Sequence, residues 1–128
     1  MENDFKQSRH DILAERLKKF AISVIQLAKS IPKTEENIIF IRQIIRSASS
    51  IGANYAEAMF AHSHLEFLHV MNICRKETNE TKFWLELILS FNPTQQQKID
   101  ILIGENTQLL KIFISSIKTA KSSTGNPR

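Results

Sequence analysis

With 128 residues, 42% of them hydrophobic and 23% charged, the chain has the make-up of one globular domain with its own core, and its charge balance excludes a disordered polyelectrolyte. A net charge of +4 allows a polyanionic partner without demanding one. The lone Cys74 excludes an internal disulfide, and no apolar run approaches the roughly 20 residues that a membrane-spanning helix needs.

Only three glycines and three prolines punctuate the chain, so its elements are long, and helices fit better than many short strands. The polar start MENDFKQSRH lacks the apolar centre of an export signal, and a reducing, cytoplasmic location is expected.

The first helix is predicted from about Asp11 to Ser30, on the seam Leu13, Leu17, Phe20, Val24, Leu27 and Ile31, and Pro32 ends it. The second opens at an N-cap, Thr34, with Glu35 and Glu36 at the positive end of its dipole. Its predicted core seam is Ile38, Ile41, Ile45, Ala48, Gly52, Ala56 and Met59. The third opens on a capping box, Ser63 to Glu66, with the seam Phe67, Val70, Met71, Cys74, Thr78, Thr81, Leu85 and Ile88. The fourth is predicted to open on a second box, Thr94 to Gln97, with the seam Ile99, Leu102, Leu109, Phe113 and Ile117, interrupted by Asn106. Short connections force consecutive helices antiparallel, which predicts an all-α, up-down-up-down four-helix bundle as a single domain over residues 1–121. Residues 122–128, SSTGNPR, read as a disordered tail.

The stretch RSASSIGANYAEA, residues 46–58, is unusual for a helix interior, because serine, asparagine and glycine are poor helix formers. Ala48, Gly52 and Ala56 repeat every four residues and would let another helix approach closely. On the far side, Ser47, Ser50, Asn54 and Glu57 make a short, hydrogen-bond-capable face instead of the usual Lys and Glu, which suits a subunit interface as well as solvent. On the third helix, Glu77 and Glu80 lie on one flank with Glu66 and Trp84, while Arg75, Lys82 and Glu86 lie on the other. Pairing of Arg46 with Glu77 or Glu80 of a neighbouring subunit would set register.

The run from Gln43 to Ala58, QIIRSASSIGANYAEA, together with Glu66-Phe67 and Glu77 to Leu85, resembles the proteins encoded in intervening sequences of bacterial 23S ribosomal RNA genes. The resemblance extends over roughly Leu13 to Ile117. Ser47, where that family usually has alanine, and Ala58, where it often has glycine, depart from the pattern. The resemblance implies a four-helix bundle assembled as a ring-like homopentamer. It also implies kinship with the accessory protein of diversity-generating retroelements, a basic pentameric bundle that binds nucleic acid and a reverse transcriptase.

Residues with catalytic or metal-binding chemistry are few. Glu66 and His69 have the Glu-x-x-His spacing of di-iron bundles, but the motif occurs once where such sites need it twice. His62, His64 and His69 gather near one turn, where a solvated surface is the simpler reading than a metal site. Cys74 falls on a core face with no histidine beside it. No Gly-x-Ser-x-Gly elbow and no phosphate-cradling glycine loop occur. No catalytic, cofactor-binding or metal-binding residue is therefore assigned. For RNA or DNA, the candidate contacts are Arg42, Arg46, Arg75, Lys76 and Lys82, with Lys111 and Lys118 on the last helix. No aromatic ladder accompanies them in the sequence, which argues against base stacking. The expected function is that of a non-enzymatic, oligomeric accessory or scaffold protein associated with nucleic acid. The alternative is a protein-interaction scaffold whose basic charge is incidental.

Overall fold

The computed structural model describes residues 2–124, and it is all-α. Its elements are α1 (Glu2–Ser30), α2 (Glu35–Met59), α3 (His64–Phe91), a short 3-10 turn (Pro93–Gln95) and α4 (Gln96–Thr124). Each helix packs on the ones before and after it in sequence, and α1 closes onto α4. This neighbour order is what the expected up-down-up-down arrangement requires. No helix among the described residues is long and apolar enough to cross a membrane.

The helix ends follow local chemistry. Lys33 Nζ donates to the Ala28 and Ile31 carbonyls at 2.8 and 3.2 Å, satisfying the end of α1 where Pro32 stops it. Thr34 accepts the Asn37 N–H at 3.1 Å, and Ser63 accepts the Glu66 N–H at 3.0 Å, so both expected N-caps form. The Glu66 carboxylate reaches one residue further back than a capping box asks, to the His62 N–H at 2.9 Å.

Three boundary expectations are corrected. α1 begins at Glu2 and not near Asp11, because nothing in residues 2–10 stops a helix. The Thr94 box does not start α4; Pro93–Gln95 coil into the 3-10 turn, and α4 starts at Gln96. α4 also continues through Ser122 to Thr124, so the first part of the expected tail is helical, while residues 125–128 lie outside the described residues.

The seams of α1, α3 and α4 are where the apolar spacing put them, with Leu17, Val24, Cys74, Leu85, Leu109 and Phe113 all but inaccessible. The seam of α2 is rotated. Its buried residues are Asn37, Ile44, Ser47, Ala48, Ile51, Tyr55 and Ala58, while Ile38 is exposed, Ile41 and Ile45 are half-buried and Ala56 is exposed. The spacing of Ile44, Ala48, Ile51, Tyr55 and Ala58 is as regular as the one predicted, and it carries Tyr55, whose ring meets Phe113 edge-on at 6.3 Å. Gly52 faces α1, but a Cβ built there would lie 3.5 Å from Leu17 Cβ, an ordinary contact. The packing therefore does not demand glycine at this position.

A buried amide pair ties one end of the bundle together. Asn37 and Asn92 each donate to the other's side-chain oxygen at 2.9 Å. Their remaining amide hydrogens go to the Pro32 and Ile88 carbonyls at 2.9 and 2.8 Å. The end of α1, the start of α2 and the end of α3 thus meet at one fully satisfied pair.

Candidate nucleic-acid interface

The serine-rich stretch of α2 spends its hydroxyls on its own backbone. Ser49 and Ser50 each donate to a carbonyl one turn earlier at 2.6 Å, and the Asn54 amide donates to the Ser50 carbonyl at 2.8 Å. These short side chains are already partnered.

Ser47, assigned to a subunit surface, is instead fully buried. Its hydroxyl lies 2.8 Å from that of Thr81, and each hydroxyl also reaches a carbonyl of its own helix, Ile44 at 3.3 Å and Glu77 at 2.8 Å. The rotation of α2 that buries Ile44 and Ile51 carries Ser47 inward with them. Of the other residues assigned to an interface, Glu57 is exposed and Ser50 and Asn54 are half-buried.

Arg46, Glu77 and Glu80 do pair, but within one chain. The guanidinium reaches Glu77 at 3.0 Å and hydrogen-bonds Glu80, whose carboxylate also accepts the Trp84 indole N–H at 2.8 Å. Partial burial would lower the Arg46 pKa, but the carboxylates outweigh it and raise it. The expected inter-subunit pairing is corrected by this geometry: α3 lies against the same flank of α2 and offers both carboxylates first. Arg16 is neutralised in the same way by a two-pronged bridge to Glu105 at 2.7 Å.

The remaining cations divide by face. Arg42 is exposed on α2, one turn from Arg46, whose charge has been turned away toward α3. Lys76 and Lys82 are exposed on different sides of α3. Arg75 instead meets α4. It lines a groove with Asn72, Ile114, Ile117, Lys118 and Lys121, and its guanidinium donates to the Asn72 side chain at 3.3 Å. Among the described residues, none of Arg75, Lys118 and Lys121 is bridged to a carboxylate. Lys121 belongs to this group and is not among the sequence candidates. Its place one turn beyond Lys118 on the same side of the helix was the available signal.

Four aromatic rings from three separate stretches of sequence, Phe40, Phe83-Trp84 and Phe91, come together at the α2–α3 seam. Phe83 packs on Trp84 at 5.1 Å, Trp84 on Phe40 at 6.4 Å, and Phe40 on Phe91 at 5.2 Å. Phe83 and Phe91 are 53% and 54% exposed, so the rings form a partly exposed aromatic run. It lies beside Glu80 and away from the basic groove.

The histidines of the helix turn do not converge. His64 Nε2 lies 3.0 Å from the Ala120 carbonyl, His62 and His69 are exposed, and no group of three or more His, Cys, Asp or Glu among the described residues is placed to hold a metal ion. Cys74 has no exposed surface, and burial pushes its thiol up to about 12.

A bundle of four helices with this sequence has known relatives. Residues 11–115 match the family model described as 23S rRNA-intervening sequence protein. The chain belongs to that family. A solved structure from Bacteroides thetaiotaomicron, described as a protein of unknown function from the S23 ribosomal protein family, is 32% identical. The match covers 85% of this chain and 97% of that one, with a TM-score of 0.77. No curated protein matches this chain.

Proposed function

We propose that this member of the intervening-sequence family is a non-enzymatic, oligomeric bundle that acts in the cytoplasm as an accessory or scaffold protein on nucleic acid. The homopentamer and a reverse-transcriptase partner follow from the family resemblance. One observation supports nucleic-acid contact: Arg75, Lys118 and Lys121 are gathered in one groove with no carboxylate among the described residues to neutralise them. Arg16 and Arg46, by contrast, are already occupied. A groove of this kind suits phosphates without reading bases. A ring repeats it, so a weak contact per subunit becomes a strong one along a polyanion.

The test is a titration of a labelled structured RNA and a duplex DNA at several salt concentrations, on protein of known assembly mass. Binding should weaken steeply with salt. Replacing Arg75, Lys118 and Lys121 by alanine should flatten the log–log slope on duplex DNA by about 0.9 for each phosphate no longer neutralised, and Arg46→Ala should leave it unchanged. Absence of binding at low salt would overturn the reading. The exposed aromatic run favours the second reading, a protein-interaction scaffold, and that outcome would make it the working model.

A further inference from the structure

Two exposed apolar features lie on opposite seams of the bundle but at the same end. On the α2–α3 seam is the aromatic run, with Phe40 near the start of α2 and Phe91 at the end of α3. On the α1–α4 seam is a groove of about 280 Å³ lined by Leu27, Ser30, Lys98, Ile101 and Leu102, with Ser23 and Gln26 along its α1 wall. Ile101, at its edge, is 72% exposed. The Asn37 bonds to Pro32 and Asn92 gather the end of α1, the start of α2 and the end of α3, and α4 begins just beyond Asn92, so the two features share one level along the bundle.

Their charges are complementary. Glu77 and Glu80 share a single Arg46, which leaves a net negative charge beside Trp84, and Glu36 lies one turn before Phe40. Lys98 lines the groove, Lys19 is exposed on α1 one turn before Ser23, and neither lysine is bridged to a carboxylate among the described residues.

We infer that the aromatic, acidic α2–α3 edge of one chain docks into the basic α1–α4 groove of a second copy, head to tail. The inference rests on the oligomeric part of the reading above and adds which faces meet. A contact between two unlike surfaces leaves each end of a dimer with one unused half, so copies keep adding until the rotation closes a ring. Because both halves sit at one level, copies can add side by side without climbing. A contact of like with like would set the carboxylate-rich edges against each other, which is disfavoured. The α3–α4 groove of Arg75, Lys118 and Lys121 takes no part in the contact and stays open.

Cysteine cross-linking on the full chain separates the alternatives. Phe83→Cys and Ile101→Cys are both exposed substitutions, and the buried Cys74 stays silent. The two variants, allowed to exchange subunits and then mildly oxidised, should form a mixed disulfide, while neither forms one alone. In parallel, Phe91→Glu and Lys98→Glu should each raise the concentration needed for assembly by about tenfold or more, with helical circular dichroism unchanged. Cross-linking of Phe83→Cys to itself would overturn the inference in favour of a symmetric contact. An assembled wild type whose mixed pair fails to link would overturn the choice of faces and leave the oligomeric reading standing. A wild type that sediments as a monomer would overturn both.

Discussion

At the scale of single residues, three side chains have roles that their place in the structure defines. Ser47 is a core hydroxyl, so Ser47→Ala should change stability by under about 1 kcal/mol, because Thr81 keeps the Glu77 carbonyl as acceptor. The same change should leave the assembly mass, read by light scattering, where it was. Arg46→Ala leaves Glu77 and Glu80 facing each other unneutralised. The pair is half-exposed, so the loss should be roughly 1 kcal/mol in urea titrations at low salt and should shrink as salt is added. Cys74 governs alkaline behaviour. Its thiol is held neutral up to about 12 in the fold, against roughly 8.5 in an unfolded chain. That preference contributes in full below the lower value and is lost as pH rises toward the higher one, at about 1.4 kcal/mol per pH unit. The urea midpoint of the wild type should therefore fall more between roughly pH 8 and 10 than that of Cys74→Ala.

At the scale of elements, two helices carry features that mutation can separate from packing. Gly104 lies inside α4, and a Cβ built there meets nothing within 4 Å. Gly104→Ala should stabilise the protein by about 0.5–1 kcal/mol, seen as a rise in Tm, since alanine removes backbone freedom from the unfolded chain only. The Asn37–Asn92 pair behaves oppositely. Asn92→Ala strands the Asn37 amide in a buried site and should cost about 2–4 kcal/mol by urea unfolding, well above a typical surface change. The helices themselves were legible because their apolar residues recur at three and four over many turns. The face of α2 was not, because two equally regular seams run along it. Large Ile38, Ile41 and Ile45 marked the wrong one, and only contact with α1 and α3 selects Ile44, Ile51 and Tyr55. The starts of α1 and α4 were missed for a local reason, since nothing in residues 2–10 breaks a helix and a 3-10 turn displaced the Thr94 cap.

At the scale of the whole molecule, the distribution of charge matters more than its sum. The net +4 is spread unevenly: Arg16 and Arg46 are consumed by internal bridges, and the α3–α4 groove concentrates Arg75, Lys118 and Lys121. Of the residues proposed from sequence for phosphate contact, Arg75 and Lys118 line this groove, while Arg46 proved to be a strut between two helices. A set of basic residues does not distinguish the two, because that depends on which carboxylates the neighbouring helix brings within reach. Asn106 shows the same dependence inside the core. Its amide donates to the Thr78 carbonyl at 3.0 Å, tying α4 to α3, while its side-chain oxygen has no partner among the described residues.

The amino-acid sequence alone determined the number of long helices, three of the four buried seams, two of the caps and the family. These are set by spacing and by chemistry within a few residues. Only the tertiary structure decided which face of α2 is inside, that Arg46 is already paired, that Phe40, the Phe83-Trp84 pair and Phe91 form one edge, and that three cations share one groove. Each of those facts depends on how neighbouring helices rotate against one another, and periodicity along a single helix carries no information about that rotation when two of its faces are equally apolar.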